Sequence, residues 1–221
     1  YAADYAAEDF IRADANLAML RLIEDWETWP NRAAALWGPA GSGKTHVAHI
    51  WAEAADARRI DLDAFRAIDL AAAPPRLALD LGAATLAEND ERRMFHLLNL
   101  TRERAGALLL VARDAPARWD VRLPDLASRL RALPAAAAEP PGEGLFGAVL
   151  AKVLADRRLV IDRRTVDYLA MRSERTFAAL QTLARRLDHA ALAGRRPITR
   201  RLAEDVMKDI TQGEGAAKTG G

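Results

Sequence analysis

The sequence predicts an α/β fold: a core built on a mostly parallel sheet, followed by a smaller all-helical part. Three observations predict it. Short apolar runs alternate with amphipathic stretches as far as Pro134, as expected of strands joined by helical crossovers. One strand–helix junction carries the spacing G-x-x-x-x-G-K-T. Beyond a stretch rich in Pro, Ala, Gly and Glu, residues 134–144, only helical periodicity remains.

Taken in order, residues 7–28 read as a helix with a short lead-in, its apolar side formed by Leu17, Met19, Leu20, Leu22, Ile23 and Trp26. Pro30 and Asn31 stop it. The run 33–37 ends at Gly38, as a buried parallel strand would. Residues 44–55 follow at helical spacing. A second strand is expected at 59–62, a short helical or loop region at 63–71, and a third strand at 76–81. Residues 88–104 form an amphipathic helix with Met94, Phe95, Leu97 and Leu98 inward. Residues 107–112, ALLLVA, give the clearest buried strand. A short helix at 126–133 stops at Pro134, and 134–144 reads as a linker. Helices follow at 145–157, 162–171, 173–193 and 199–209. The division expected is a nucleotide-binding core at 1–140, a helical part at 141–212 and a disordered tail at 213–221.

Bulk composition narrows the function classes. The chain has 221 residues, 51 % hydrophobic and 29 % charged, enough for one compact domain and a satellite. It has no cysteine, so disulfides and thiolate metal sites are excluded and a reducing, cytoplasmic setting is expected. No stretch approaches the ~20 apolar residues that cross a bilayer. The first residue is not Met, so residues are expected upstream of Tyr1. Net charge is +1, yet 145–210 holds fourteen Lys/Arg against eight Asp/Glu. That asymmetry suits solvated helix faces, or a nucleic-acid or acidic-partner surface.

The chemistry concentrates in Gly38, Pro39, Ala40, Gly41, Ser42, Gly43, Lys44 and Thr45. Glycines let several backbone N–H groups face one phosphate, and the following helix adds its positive end. Lys44 can reach the β- and γ-phosphates and Thr45 can ligate Mg²⁺. ADP or ATP is therefore the expected ligand, with Mg²⁺ held by Thr45 and, through water, by Asp80 at the end of the third strand. The residue after Asp80 is Leu81, which can do no general-base work. Glu88, Asp90 and Glu91 open a helix, where acids complement the dipole. Binding is thus better supported than hydrolysis, with weak or no intrinsic ATPase. Asp114 follows the 107–112 strand and is either a phosphate sensor or the start of a turn. Arg129 reads as an arginine finger or a surface cation. The four histidines lack metal spacing and read as structural.

The P-loop with His46, Glu88-Asn89-Asp90 leading to Phe95-His96-Leu97-Leu98-Asn99, Arg113-Asp114-Ala115-Pro116, and above all Leu123-Pro124-Asp125-Leu126-Ala127-Ser128-Arg129-Leu130 carry a family likeness. Over 8–210 the chain resembles the bacterial DnaA-like AAA+ proteins, and among them the regulators of the initiator more than the initiator itself. The resemblance implies an AAA+ core with a helical lid and an arginine finger, Arg129, acting in trans. It places Phe10 and Ile11 near the base with Asn16 close by, and His46 in the nucleotide site. It puts Ala178 where relatives carry a lid arginine, with Arg175 one turn earlier as a substitute. Implied partners are the initiator DnaA, the sliding clamp through an N-terminal segment not found before Tyr5, and a second copy as a homodimer. Location would be bacterial cytoplasm, nucleoid-associated through partners. Initiators continue into a helix-turn-helix domain; the sequence ends at Gly221, so sequence-specific DNA reading is not expected. The function implied is a nucleotide-holding repressor of re-initiation that promotes hydrolysis on the initiator. The alternative is an ATPase loader or motor acting on a helicase or nucleic acid.

Overall fold

The computed structural model describes residues 14–83, 85–139, 143–157, 159–194 and 198–218. Two compact units divide the chain, Tyr1–Glu139 and Pro140–Gly221.

The first unit is built on a five-stranded sheet in the order β2-β3-β4-β1-β5. Its strands are β1 (Ala33–Trp37), β2 (Arg58–Asp61), β3 (Arg76–Gly82), β4 (Ala107–Ala112) and β5 (Ala135–Ala137). Every pairing is parallel. Central β4 is buried at all six positions, so its sequence is a continuous apolar run without alternation, as a strand covered on both faces requires.

Strand parity sorts the core into two layers. Ala34, Leu36, Ala78, Leu109 and Val111 meet α1 (Asp14–Glu24) and α2 (Lys44–Ala54). Ala33, Ala35, Leu77, Leu79, Leu81, Leu108, Leu110 and Ala112 meet α3 (Leu62–Ala67), α4 (Glu88–Glu103) and α5 (Pro124–Arg131). Successive side chains of a strand point to opposite faces, so each strand contributes to both layers. Each fully buried Leu or Met adds about 1.5–3 kcal/mol. On the first face Trp51 is fully buried and stacks on Trp29 at 5.3 Å between centroids. Trp29 donates its indole N–H to the Leu22 carbonyl at 2.8 Å, which anchors the chain between α1 and β1.

The second unit is helical: α6 (Glu143–Asp156), α7 (Arg163–Arg172), α8 (Phe177–Gly194) and α9 (Arg200–Lys218). Phe146, Leu150, Leu154, Leu169, Leu183 and Leu187 form its buried interior. Ile161 and Ile198 form a short parallel bridge. Asp162 caps α7 by accepting the Thr165 N–H at 2.9 Å and hydroxyl at 2.6 Å. Those bonds hold its carboxyl below the usual range.

Several boundaries differ from the sequence expectation. Residues 134–144 are not all linker, because β5 pairs with β1 there. Three alanines carry no strand signature, and the strand exists because β1 offers an unpaired edge: Ala35 N–H donates to the Pro134 carbonyl and Ala138 N–H to the Trp37 carbonyl. Helix α5 begins at Pro124 rather than 126, with proline at the first turn where its missing N–H costs nothing. A short 3-10 turn at Trp26–Thr28 replaces the end of the helix expected over 7–28, and a second follows at Pro30–Arg32. Helix α9 continues through Gly213 to Lys218, where an unstructured tail was expected.

Candidate functional site

The loop between β1 and α2 forms at the C-terminal edge of the sheet, where parallel sheets place their ligands. Gly38, Gly41 and Gly43 have φ of 147°, 72° and 93°, a region that side-chain-bearing residues rarely enter. A Cβ on Gly38 would run into the Ala138 carbonyl beyond β5. The strand missed in sequence therefore sets how the loop starts. Gly38 N–H also donates to the Ala112 and Arg113 carbonyls at 3.3 and 3.1 Å, which ties the loop to the end of β4.

Lys44 opens α2 and is buried. Its ammonium donates to the Gly38 and Pro39 carbonyls, both at 2.7 Å, and to the Ser42 hydroxyl at 3.3 Å. Burial pushes its pKa below the ordinary lysine value, Asp80 opposes that, and Arg113 adds to it. Ser42 is buried and donates its hydroxyl to Pro39. The geometry fits a phosphate: a glycine cradle whose first member has no room for a Cβ, a helix N-terminus beneath it, and a cation held at its rim.

Thr45 and Asp80 border one cavity of about 590 Å³, together with Asp61 and Arg66. Asp80 shares the parity of Ala78 and so belongs to the α2 face. Its carboxylate accepts the Gly82 N–H at 2.9 Å. Thr45 and Asp80 could hold Mg²⁺ with phosphate oxygens and water completing the shell. Among the described residues no cluster of three or more His, Asp or Glu forms a metal site by itself. Leu81 is 4 % exposed and packs in the opposite layer, against the α3–α5 side.

The three acids at the start of α4 are all engaged. Glu88 pairs with Arg92 at 2.6 Å. Asp90 accepts the Ala87 N–H at 3.1 Å and the Arg66 guanidinium at 2.7 Å. Arg66 is the main cause that holds the Asp90 carboxyl below its usual range, against its burial. Glu91 is buried and accepts the N–H groups of Arg122 and Leu123 at 3.0 and 2.9 Å. It thus grips the chain where it enters α5.

Helix α5 carries Arg129. The guanidinium is half-buried, donates to Asn99 Oδ1 at 2.6 Å and lies 4.4 Å from the centroid of Phe95. A hydrogen bond and a cation–π contact therefore fix its direction. Two segments singled out separately in the sequence, 95–99 and 123–130, meet at this side chain.

The other candidates are placed as follows. Asp114 is exposed at the end of β4, and its carbonyl accepts the Trp119 indole N–H at 2.9 Å. His46 is half-buried on α2 and Asn16 is buried on α1. His49 contacts Arg59 at 2.7 Å and Glu53 at 3.2 Å. Arg175 is exposed in the turn before α8, in the second unit. Phe10 and Ile11 lie outside the described residues, as does the side chain of Ala178. Sequence reasoning missed the hold of Glu91 on the segment that leads into α5. No helix among the described residues is long and apolar enough to cross a membrane.

No protein-family model matches the sequence. Solved structures do resemble it. Domain III of the Thermotoga maritima replication initiation protein DnaA superposes with a TM-score of 0.77 at 16 % identity, covering 93 % of this chain and 96 % of that one. AMPPCP-bound DnaA from Aquifex aeolicus gives 0.71 at 16 % identity, covering 86 % and 67 %. The Thermotoga maritima RuvB Holliday junction branch migration motor gives 0.73 at 14 % identity, covering 93 % and 72 %. At such identities the likeness establishes architecture, and with its five-stranded parallel sheet the chain has the AAA+ fold.

Proposed function

We propose that this chain is a regulatory nucleotide-binding protein of DNA replication, acting as Hda does on the initiator DnaA. The Gly38–Thr45 loop holds a purine nucleotide, ADP, as a structural ligand, with Mg²⁺ at Thr45 and Asp80. Arg129 is presented in trans to ATP bound on the initiator, where its charge stabilises the transferring phosphoryl group. Hydrolysis then leaves the initiator inactive and represses re-initiation.

One observation carries most of this: an intact phosphate loop is combined with a leucine, buried in the core, in the place where a water-polarising acid would stand. The arrangement favours holding a nucleotide over turning it over. The fixed direction of Arg129 supports the second half of the proposal. The nucleotide analogue AMPPCP on DnaA supports nucleotide binding at the loop, and the initiator role printed for that neighbour supports a replication setting. Asp114 and Arg175 remain candidate phosphate contacts in this scheme, and the sliding clamp a candidate partner.

The test is ATP hydrolysis by the initiator in the presence of this protein and DNA-loaded clamp. Wild type accelerates it, and Arg129→Ala loses the effect by the ~10³-fold or more that an arginine finger supplies. An Arg129→Ala protein that stimulates as well as wild type would sink the mechanism. The second reading, a loader or motor, draws on the likeness to the RuvB motor and on the basic 145–210 region. It requires sustained turnover by the chain alone.

A further inference from the structure

We propose that the second unit carries a docking surface for the phosphate backbone of a nucleic-acid duplex, bound without regard to sequence. The surface is built by Tyr168 with Arg163, Arg164, Arg172, Arg200 and Arg201. It uses no residue of the phosphate loop and needs neither reading of the nucleotide site.

Topology brings these residues together. Ile161 and Ile198 form a parallel bridge, and α7 and α9 each begin two residues later, at Arg163 and Arg200. The two helices therefore start side by side and run the same way. Each opens on a pair of exposed arginines, Arg163-Arg164 and Arg200-Arg201, with no acid in its first turn.

That arrangement opposes local preference. The positive end of a helix favours acids and is weakened by cations, so arginine pairs at two adjacent helix starts cost stability. Local rules of this kind are broken where function requires it. The helix N–H groups are not what is on offer. Asp162 holds that of Thr165, and the Thr199 hydroxyl accepts that of Leu202 at 3.3 Å. The binding groups are the guanidinium side chains.

Tyr168, further along α7, gathers two of them. The Arg200 guanidinium lies 3.8 Å from the centroid of its ring and that of Arg172 lies 4.3 Å away. One ring thus holds two cations near each other. Arg200 also pairs through Nε with Glu204 at 2.9 Å, which leaves its Nη groups for a ligand. The side chains of Arg163, Arg164 and Arg201 make no hydrogen bond or ion pair among the described residues, and neither does the Tyr168 hydroxyl. Asp167, exposed on the same helix, offsets one charge.

Chemistry selects the partner. Every cation of the surface is arginine, whose planar fork matches phosphate oxygens in pairs. Two rows of guanidinium groups on neighbouring helices, with axes about 8–10 Å apart, suit a ligand that repeats its charge, as a duplex backbone does. A protein partner would be centred on desolvated apolar anchors. A polar, strongly positive surface is the kind that nucleic acid covers.

The test is anisotropy of a labelled DNA duplex of arbitrary sequence, titrated with the full chain at several salt concentrations. Wild type should bind, with log K falling linearly against log salt. Arg163→Ala combined with Arg201→Ala should weaken binding about tenfold or more. The salt slope should become shallower by about two, at roughly 0.9 per lost phosphate contact. Tyr168→Leu keeps every charge but releases two guanidinium groups, and should weaken binding about threefold. Arg185→Ala combined with Arg186→Ala removes the same charge from exposed positions on α8 and should cost less than about threefold, with the slope nearly unchanged. The Arg163/Arg201 double variant should melt at or slightly above the wild-type temperature, because it relieves the helix starts; its weaker binding is then not unfolding. Failure of wild type to bind the duplex would overturn the proposal, as would equal losses in the two double variants. Displacement of the duplex by poly-glutamate at equal charge would also overturn it and assign the surface to an acidic protein. Nucleotide affinity plays no part in the readout, so the outcome is separate from that of the Gly38–Thr45 assignment.

Discussion

Leu81 shows how one side chain divides binding from turnover. Its neighbour Asp80 faces α2 and the phosphate loop, whereas Leu81 turns into the layer formed by α3, α4 and α5 and is 4 % exposed. An acid at this position would have to leave that layer to reach the nucleotide. Leu81→Glu puts a carboxylate into an apolar layer without a partner, which costs about 3–5 kcal/mol. Urea denaturation should show that loss, and ATP turnover should not rise. A stable Leu81→Glu protein with raised turnover would mean that the residue reaches the nucleotide after all. At this scale the phosphate loop was legible in sequence because glycine spacing encodes the backbone locally.

The element that matters most for presentation is α5, and it is held by groups far away in sequence. Glu91 accepts the N–H groups of Arg122 and Leu123, 31 and 32 residues on. Asn99 and Phe95, on the same helix α4, orient Arg129. Helix α4 thus serves as a bracket for α5. Glu91→Ala removes two hydrogen bonds to a carboxylate and leaves two N–H groups without it, at a cost of about 2–4 kcal/mol. Hydrogen exchange over 122–131 should quicken and stimulation of the initiator should fall, while nucleotide affinity holds. Unchanged exchange there would show that Glu91 does not hold α5. The sequence offered only an acid in the first turn of a helix, where dipole complementation is the ordinary explanation. Strand β5 escaped for a related reason. Its three alanines have no strand preference of their own, and only the open edge of β1 and the close approach of Gly38 to Ala138 define it. Strand β4, buried on both faces, was readable to the residue.

Across the whole molecule, the alternation of strands and helices and its loss after 134–144 were enough to foresee an α/β unit followed by a helical one, because periodicity reports burial directly. Partners are another matter. They depend on surfaces whose composition is ordinary, and the basic excess in 145–210 names no ligand. The central claim is that the phosphate loop grips a nucleotide that the chain itself does not turn over. Phosphate release from ATP by this protein alone, at saturating ATP and Mg²⁺ with bound nucleotide quantified in the same sample, tests it most directly. The prediction is close to one nucleotide per chain with turnover far below the ~1 s⁻¹ at the low end of ordinary enzyme rates. Sustained turnover at or above that rate would contradict it and favour a motor.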